Sequence, residues 1–192
     1  MSEAQTVPGR LAGEKEAAST SMEVPSFADA VTIYQSLVFS TAYHLLHNPP
    51  LAEDIAQDVF FRLYRDYHKI RSSSHLVHWL RRTTTHRCLD RLRRFERRRS
   101  IPLEEIENEL PSTVAEDDPI LSQTLRRLVA ELPANARAVV VLRYQEDLEP
   151  REIARLLDLP VNTVKSRLQR ALNVLRTRIA ALEESRHASY RG

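Results

Sequence analysis

Glycine is nearly missing from this chain, and that constrains its fold more than any other feature. The 192 residues hold three, Gly9, Gly13 and Gly192, with none between Lys15 and Arg191. Tight hairpin turns draw on glycine for positive φ, so a sheet-rich fold is disfavoured. A glycine-cradled phosphate loop is excluded, because a backbone carrying side chains cannot close around a phosphate. Cys88 is the single cysteine. It leaves no disulfide framework and no cysteine-rich zinc site, and it fits a reducing, intracellular setting. No apolar run approaches the roughly 18 residues of a membrane span, so no membrane contact is expected. The first 26 residues lack the apolar segment of an export signal.

The formal charge of +2 conceals a strong segregation. Residues 1–26 carry a net of −2. Residues 62–99 hold thirteen Arg and Lys against three acids, a net of +10. Residues 100–118 hold seven acids and no base, and residues 161–178 hold five bases and no acid. Two basic stretches separated by an acidic one suit two contacts with a polyanion, joined by a segment that avoids it.

Apolar spacing predicts helices throughout and no strand. Residues 1–25 have no apolar period and read as a disordered tail. Phe27, Ala30, Val31, Tyr34, Leu37, Val38, Thr41 and Leu45 form a first stripe, stopped at Asn48-Pro49-Pro50. Leu51, Ile55, Val59, Phe60, Leu63, Tyr64 and Tyr67 form a second. After a loop from His68 to Ser74, a long helix runs from about His75 to Arg97, with Leu76, Leu80, Thr84, Cys88, Leu92 and Phe95 inward. These three helices make a first domain over 26–98. An acidic linker spans 99–117. A second domain over 118–184 starts at Asp118-Pro119, a capping acceptor followed by a first-turn proline. Its first stripe is Ile120, Leu125, Leu128 and Leu132. Ala134 to Tyr144 follows, with Ala138, Val139 and Leu142 inward. Next comes a helix from Pro150 with Ile153, Ala154 and Leu157, the short turn Asp158-Leu159-Pro160, and a long last helix. A tail closes the chain at 185–192. The expected fold is all-α, two small helical domains joined by an acidic flexible linker.

Two helices joined by a three-residue turn match a helix-turn-helix, whose second helix enters the major groove. The outward face of that helix carries Asn162, Thr163, Lys165, Ser166, Arg167, Gln169 and Arg170. Arg pairs bidentately with guanine, and Asn or Gln with adenine. The absence of acids over this stretch separates it from an ordinary solvated face. Asp158 stands where many such turns use glycine, and Asp tolerates the left-handed conformation.

The segments AEDIAQDVFFRLY, WLRRTTTHRCLDRLRR and EIARLLDLPVNTVKSRLQRAL occur here in that order. Residues 51–97 resemble region 2, and residues 132–178 region 4, of bacterial RNA polymerase sigma factors. With only a short linker between, the chain resembles the extracytoplasmic-function (ECF) subfamily over about residues 27–184. The resemblance implies core RNA polymerase and promoter DNA as partners. The second helix of region 2 would dock on the clamp helices of the largest subunit through Asp54, Gln57, Asp58 and Arg62. Region 4 would meet the flap region and read the −35 element through the seven residues named above. The −10 element would be captured by Lys69, Arg71 and Ser73 in the loop and by Arg81, Arg82, His86, Arg87, Arg91 and Arg94, with Arg93, on the long helix. Family members usually carry Asn where His86 stands, a departure that bears on −10 preference. Trp79 and Cys88 read as core.

In the family the linker threads the polymerase cleft and the RNA exit channel. That would make Glu104, Glu105, Glu107, Glu109, Glu116, Asp117 and Asp118 mimics of an RNA backbone; the alternative is a solvated spacer. The resemblance also implies an anti-sigma factor as a partner. No catalytic constellation, cofactor or small-molecule substrate is expected. His44 with His47, and His75 with His78, lack the acidic third ligand a metal needs. A stand-alone helix-turn-helix regulator is the competing reading; a nucleic-acid-modifying enzyme would need a metal cluster or nucleophile that the sequence does not offer.

Overall fold

The computed structural model describes residues 24–99 and 119–189. Residues 1–23 of the expected N-terminal tail, residues 100–118 with the acidic linker, and residues 190–192 lie outside these; the closing tail expected over 185–192 is instead helical as far as Ser189, where the last helix ends. The described residues form seven α-helices: α1 (Phe27–Leu46), α2 (Pro49–Asp66), α3 (Ser73–Arg99), α4 (Pro119–Ala130), α5 (Ala134–Tyr144), α6 (Pro150–Leu157) and α7 (Val161–Ser189). A 3-10 turn, Tyr67–Lys69, leads from α2 towards α3. No strand occurs among them.

Local chemistry sets the helix ends. The Asp29 amide donates to Ser26 Oγ, which caps α1. His47 closes the same helix at φ 52, its amide donating to the Tyr43 carbonyl. Asn48 then caps α2 by accepting from Leu51 N at 3.0 Å. Pro49 and Pro50 occupy the first turn, where a missing N–H leaves nothing unsatisfied. The residues that stop one helix therefore start the next, with almost no loop between.

The first half is built from α1, α2 and α3 around Val38, Val59, Leu63, Leu76 and Leu80, all essentially buried. The outer part of the second half packs α4, α5 and α7 around Leu128, Leu132, Val140, Ala171 and Leu175. The largest cluster belongs to both halves. Leu45, Ala52, Cys88 and Leu89 of the first share it with Ala138, Val139, Leu142, Ile153 and Leu156 of the second. The two domains read from the sequence are present, but they are docked on each other. This explains why α5 is buried from Arg137 through Leu142 rather than along one stripe: it lies between the halves and is covered on both sides.

Arg137 is the polar centre of that junction. Its Nη1 donates to the Leu45 carbonyl at 3.0 Å, and its Nη2 to the carbonyls of Ala130 and Leu132. One guanidinium thus satisfies carbonyls at the ends of α1 and α4, which would otherwise be buried without donors.

Three expected core positions are on the outside. Tyr64 is exposed, its ring edge-on to Phe27 at the rim of the first core. Leu125 is also exposed, since α4 buries only the face holding Leu128 and Leu132. Phe95 is exposed under the Arg91 guanidinium, 5.2 Å from its centroid. At that end of α3 the neighbour is α5, which lies on the side of Leu89 and Glu96. Cys88 is fully buried as expected, and burial pushes its thiol up to about 12. Trp79 is half-buried against the first core.

Candidate nucleic-acid interface

The helix-turn-helix is formed by α6 and α7. Pro150 opens α6, and the Glu149 amide donates to Glu152 Oε2 at 2.8 Å. The helix ends at Asp158 with φ 54 and ψ 48, the left-handed conformation that the sequence requires of a non-glycine residue at this turn. Leu159 N donates back to the Ala154 carbonyl, and the Pro160 carbonyl accepts from Thr163 and Val164 to start α7. Val164, Ala171 and Leu175 hold α7 against the core. Asn162, Lys165, Ser166, Gln169 and Arg170 are consequently exposed, with Thr163 and Arg167 half-buried beside them. Arg170 folds along its own helix, donating to the Ser166 carbonyl and hydroxyl at 3.2 and 3.3 Å.

The residues expected to touch the −10 element separate into three groups. Lys69, Arg71, Arg91 and Arg94 are exposed, Lys69 being held by Asp66 at 2.5 Å, and Ser73 is half-buried at the start of α3. Arg87 is turned towards α2, where its Nε donates to Asp58 Oδ2 at 2.6 Å. Arg81, Arg82 and His86 meet the second half. Arg82 donates to Asp158 through Nη1 and Nη2, at 3.0 and 2.5 Å, and Nη1 also donates to the Arg155 carbonyl at 3.3 Å. This pairing holds the Asp158 carboxyl below its ordinary range. His86 Nε2 lies 3.0 Å from the Leu156 carbonyl, and since a carbonyl only accepts, that nitrogen carries the proton. Arg81 stands 3.4 Å from the buried carboxylate of Glu146, an ion pair without hydrogen-bond alignment. Thr41 Oγ1 donates to the same carboxylate at 2.7 Å.

On α2, Asp54 and Gln57 are exposed as expected, and Arg62 beside them is exposed too. Asp58 is half-buried between two arginines. Partial burial alone would raise its pKa, but the Arg87 hydrogen bond and the charges of Arg87 and Arg62 outweigh it and leave the carboxyl below the usual range. Sequence reasoning missed Phe61, which follows Asp54 and Gln57 at helical steps and is 62% exposed; Tyr64, the next step along that strip, is 67% exposed. The available signal was this same spacing, read outward instead of inward.

No cluster of three or more candidate metal ligands occurs among the described residues. His44 and His47 are half-buried at the end of α1, and burial lowers both, His47 to about 4 with Arg137 and His44 adding to the effect.

The family model for sigma-70 region 2 matches residues 30–99, and that for sigma-70 region 4 matches residues 122–175. The ECF RNA polymerase sigma factor SigW of Bacillus subtilis is 31% identical over 169 residues, covering 82% of this chain and 90% of that protein. This chain belongs to the ECF sigma factors. As an RNA polymerase sigma factor, its partners are core RNA polymerase and promoter DNA. The RNA polymerase sigma-E factor of Streptomyces coelicolor is 31% identical over 163 residues, covering 83% of this ECF chain and 89% of that one. A solved structure of the sigma factor RpoE, in complex with the anti-sigma factor NepR from Bartonella quintana, matches with a TM-score of 0.64 at 20% identity. It covers 80% of this chain and 96% of that one, a likeness of fold. Within the ECF architecture, α1 to α3 are region 2 and α4 to α7 are region 4, and no described helix is long and apolar enough to cross a membrane.

Proposed function

We propose that region 2 recognises and melts the −10 element while region 4 reads the −35 element, with the chain riding on core polymerase. The observation that carries this reading is the exposed, acid-free first half of α7 immediately after a left-handed Asp158 turn. Arg170 and Gln169 carry the donor groups that guanine and adenine edges pair with, whereas Lys165 and Ser166 suit phosphates. On region 2, unstacking a promoter base costs a few kcal/mol, which is offset by capture of the flipped base and by phosphate neutralisation along the separated strand. Lys69, Arg71 and Ser73 lie at the entrance to α3 and Arg81, Arg82, His86, Arg87, Arg91 and Arg94 along it, the order this task needs.

Core polymerase docks on the strip of α2 that bears Asp54 and Gln57, with Arg62 beside it and Asp58 behind, and the acidic linker occupies polymerase surfaces built for nucleic acid. The protein acts in the cytoplasm as an initiation factor rather than an enzyme, takes no small-molecule substrate, and has an anti-sigma factor as a further partner. Run-off transcription with purified core polymerase on genomic fragments, followed by mapping of start sites, tests the reading. Discrete starts that require this chain support it. Tight operator binding without polymerase, and no starts with it, would instead establish a stand-alone regulator.

A further inference from the structure

Ser72-Ser73-Ser74-His75 has the spacing of a capping box at the start of α3, with histidine in the place that Glu or Gln usually fills. Both halves of the box are formed. Ser72 Oγ accepts the His75 amide at 3.1 Å, and His75 Nδ1 accepts the Arg71 amide at 3.2 Å. The second bond differs from the ordinary box, because it reaches past the cap to the residue before it. Since Nδ1 accepts an N–H, it carries no proton in this arrangement. The Ser72 carbonyl takes Leu76 N at 2.9 Å as well. Ser72 therefore caps α3, and His75 adds a hold on the loop in front of the helix. That loop is fixed at its other end too. Ile70 is buried in the first core, and its amide donates to the Tyr67 carbonyl at 3.0 Å. Arg71 stands between buried Ile70 and the Ser72 cap, with its amide turned to His75 and its side chain exposed.

We propose that His75 is a positioning residue for strand capture: its Nδ1 pins the Arg71 amide and so fixes the loop that receives the unstacked base. The inference rests on the reading of Lys69, Arg71 and Ser73 as part of the −10 surface. A loop that is ordered in only a fraction of molecules binds with an affinity reduced by that fraction. The pin removes this loss before DNA arrives. A neutral imidazole does so without adding charge, whereas Glu in the usual box would set a carboxylate at the mouth of a surface that must attract phosphates.

The test uses the full chain assembled with core RNA polymerase. The probe is a fluorescent single-stranded oligonucleotide with the non-template −10 segment of a promoter found by the run-off mapping, and anisotropy reports its binding. His75→Leu removes the acceptor and keeps a good helix former. His75→Asn puts a carbonyl oxygen in the place of Nδ1. His75→Leu is expected to weaken strand binding by about fivefold to tenfold, the loss of one ordinary hydrogen bond. His75→Asn is expected to stay within about twofold of the wild-type chain, and both variants to bind core polymerase as the wild type does. Equal affinity of all three chains overturns the proposal, and so does equal weakening by Leu and Asn, since a general disturbance of the loop would not spare Asn. If His75→Leu loses helical circular dichroism, His75→Phe takes its place, keeping a ring without the acceptor. Arg71→Ala tells the two readings apart. Weaker binding by Arg71→Ala with no effect of His75→Leu removes the role of His75 and leaves the −10 surface standing. No effect of Arg71→Ala removes the loop from that surface, and the proposal with it.

Discussion

Arg87 and Asp58 join α3 to α2 through an Nε–Oδ2 contact of 2.6 Å, and the same carboxylate oxygen also takes Arg62 from its own helix at 3.1 Å. Asp58 is therefore a structural tie between two helices of region 2, whereas Asp54, one turn earlier, faces solvent. The two acids should respond differently to substitution. Asp58→Ala should lower stability by about 1 kcal/mol, a pair of this exposure being worth no more, and lower Tm by about 2–4 °C. Asp54→Arg should leave Tm unchanged and weaken core polymerase binding. Thermal unfolding and a polymerase pull-down on both variants check this; equal loss of stability would sink it.

Phe61 supplies a second probe of the same surface. Interfaces concentrate their energy in a few aromatic and Arg anchors near the centre of the patch. Phe61→Ala removes no buried contact from the fold, so Tm should hold while affinity for core polymerase falls by about tenfold or more. Unchanged affinity measured by titration of labelled chain into core enzyme would move the docking surface elsewhere.

Arg137 is buried at the junction, and its loss should be felt more than that of any surface arginine. Arg137→Ala strands the carbonyls of Leu45, Ala130 and Leu132 at the junction. A cost of about 2–3 kcal/mol is expected in urea unfolding, given that hydrogen bonds from a charged donor are replaced by unsatisfied buried acceptors. Lys in its place should recover only part, because one ammonium lacks the planar fork that spans all three.

His47 makes the junction sensitive to acid. The folded chain holds it neutral, with its pKa lowered to about 4, while the unfolded chain protonates it near the ordinary 6.5. Stability is then full above 6.5 and is lost as pH falls from there towards 4, by about 3 kcal/mol in all. His44, lowered by burial too, acts in the same direction. His47→Asn keeps a residue that tolerates the positive φ and should flatten this acid limb. Urea titrations between pH 7 and 4 on both proteins measure it.

The recognition helix should separate base reading from charge. Arg170→Ala should relax preference at one −35 position at a cost of about 1–3 kcal/mol against the preferred base, whereas Lys165→Ala should weaken all promoters alike and reduce the salt dependence. Transcription from a randomised −35 library, read at two salt concentrations, distinguishes the two. A uniform loss for both would place Arg170 on a phosphate.

Much of this was legible in the chain. The gap left by glycine, the 3.6-residue stripes, and the proline and asparagine signals gave helices within a few residues of those observed: the long helix expected over 75–97 spans Ser73–Arg99. Asp158 was placed correctly in a left-handed turn because only local sterics decide it. Tyr64, Leu125 and Phe95 were misplaced because a stripe says that one face is buried and leaves open where the neighbouring helix ends. Arg137 was invisible: its partners, the carbonyls of Leu45 and Ala130, carry no sequence signature.

The amino-acid sequence by itself determined an all-helical chain, its turn between α6 and α7, and which segments are basic, since these follow from spacing and composition within a few residues. Which of those cations are available was decided only by the tertiary structure. Arg82 and Asp158 lie 76 positions apart and Arg87 and Asp58 lie 29 apart, yet each pair is closed to within hydrogen-bond distance. Ion pairing depends on separation in space. That separation is set by the apolar cluster that brings α3 against α5 and α6, and no local pattern along the chain records it.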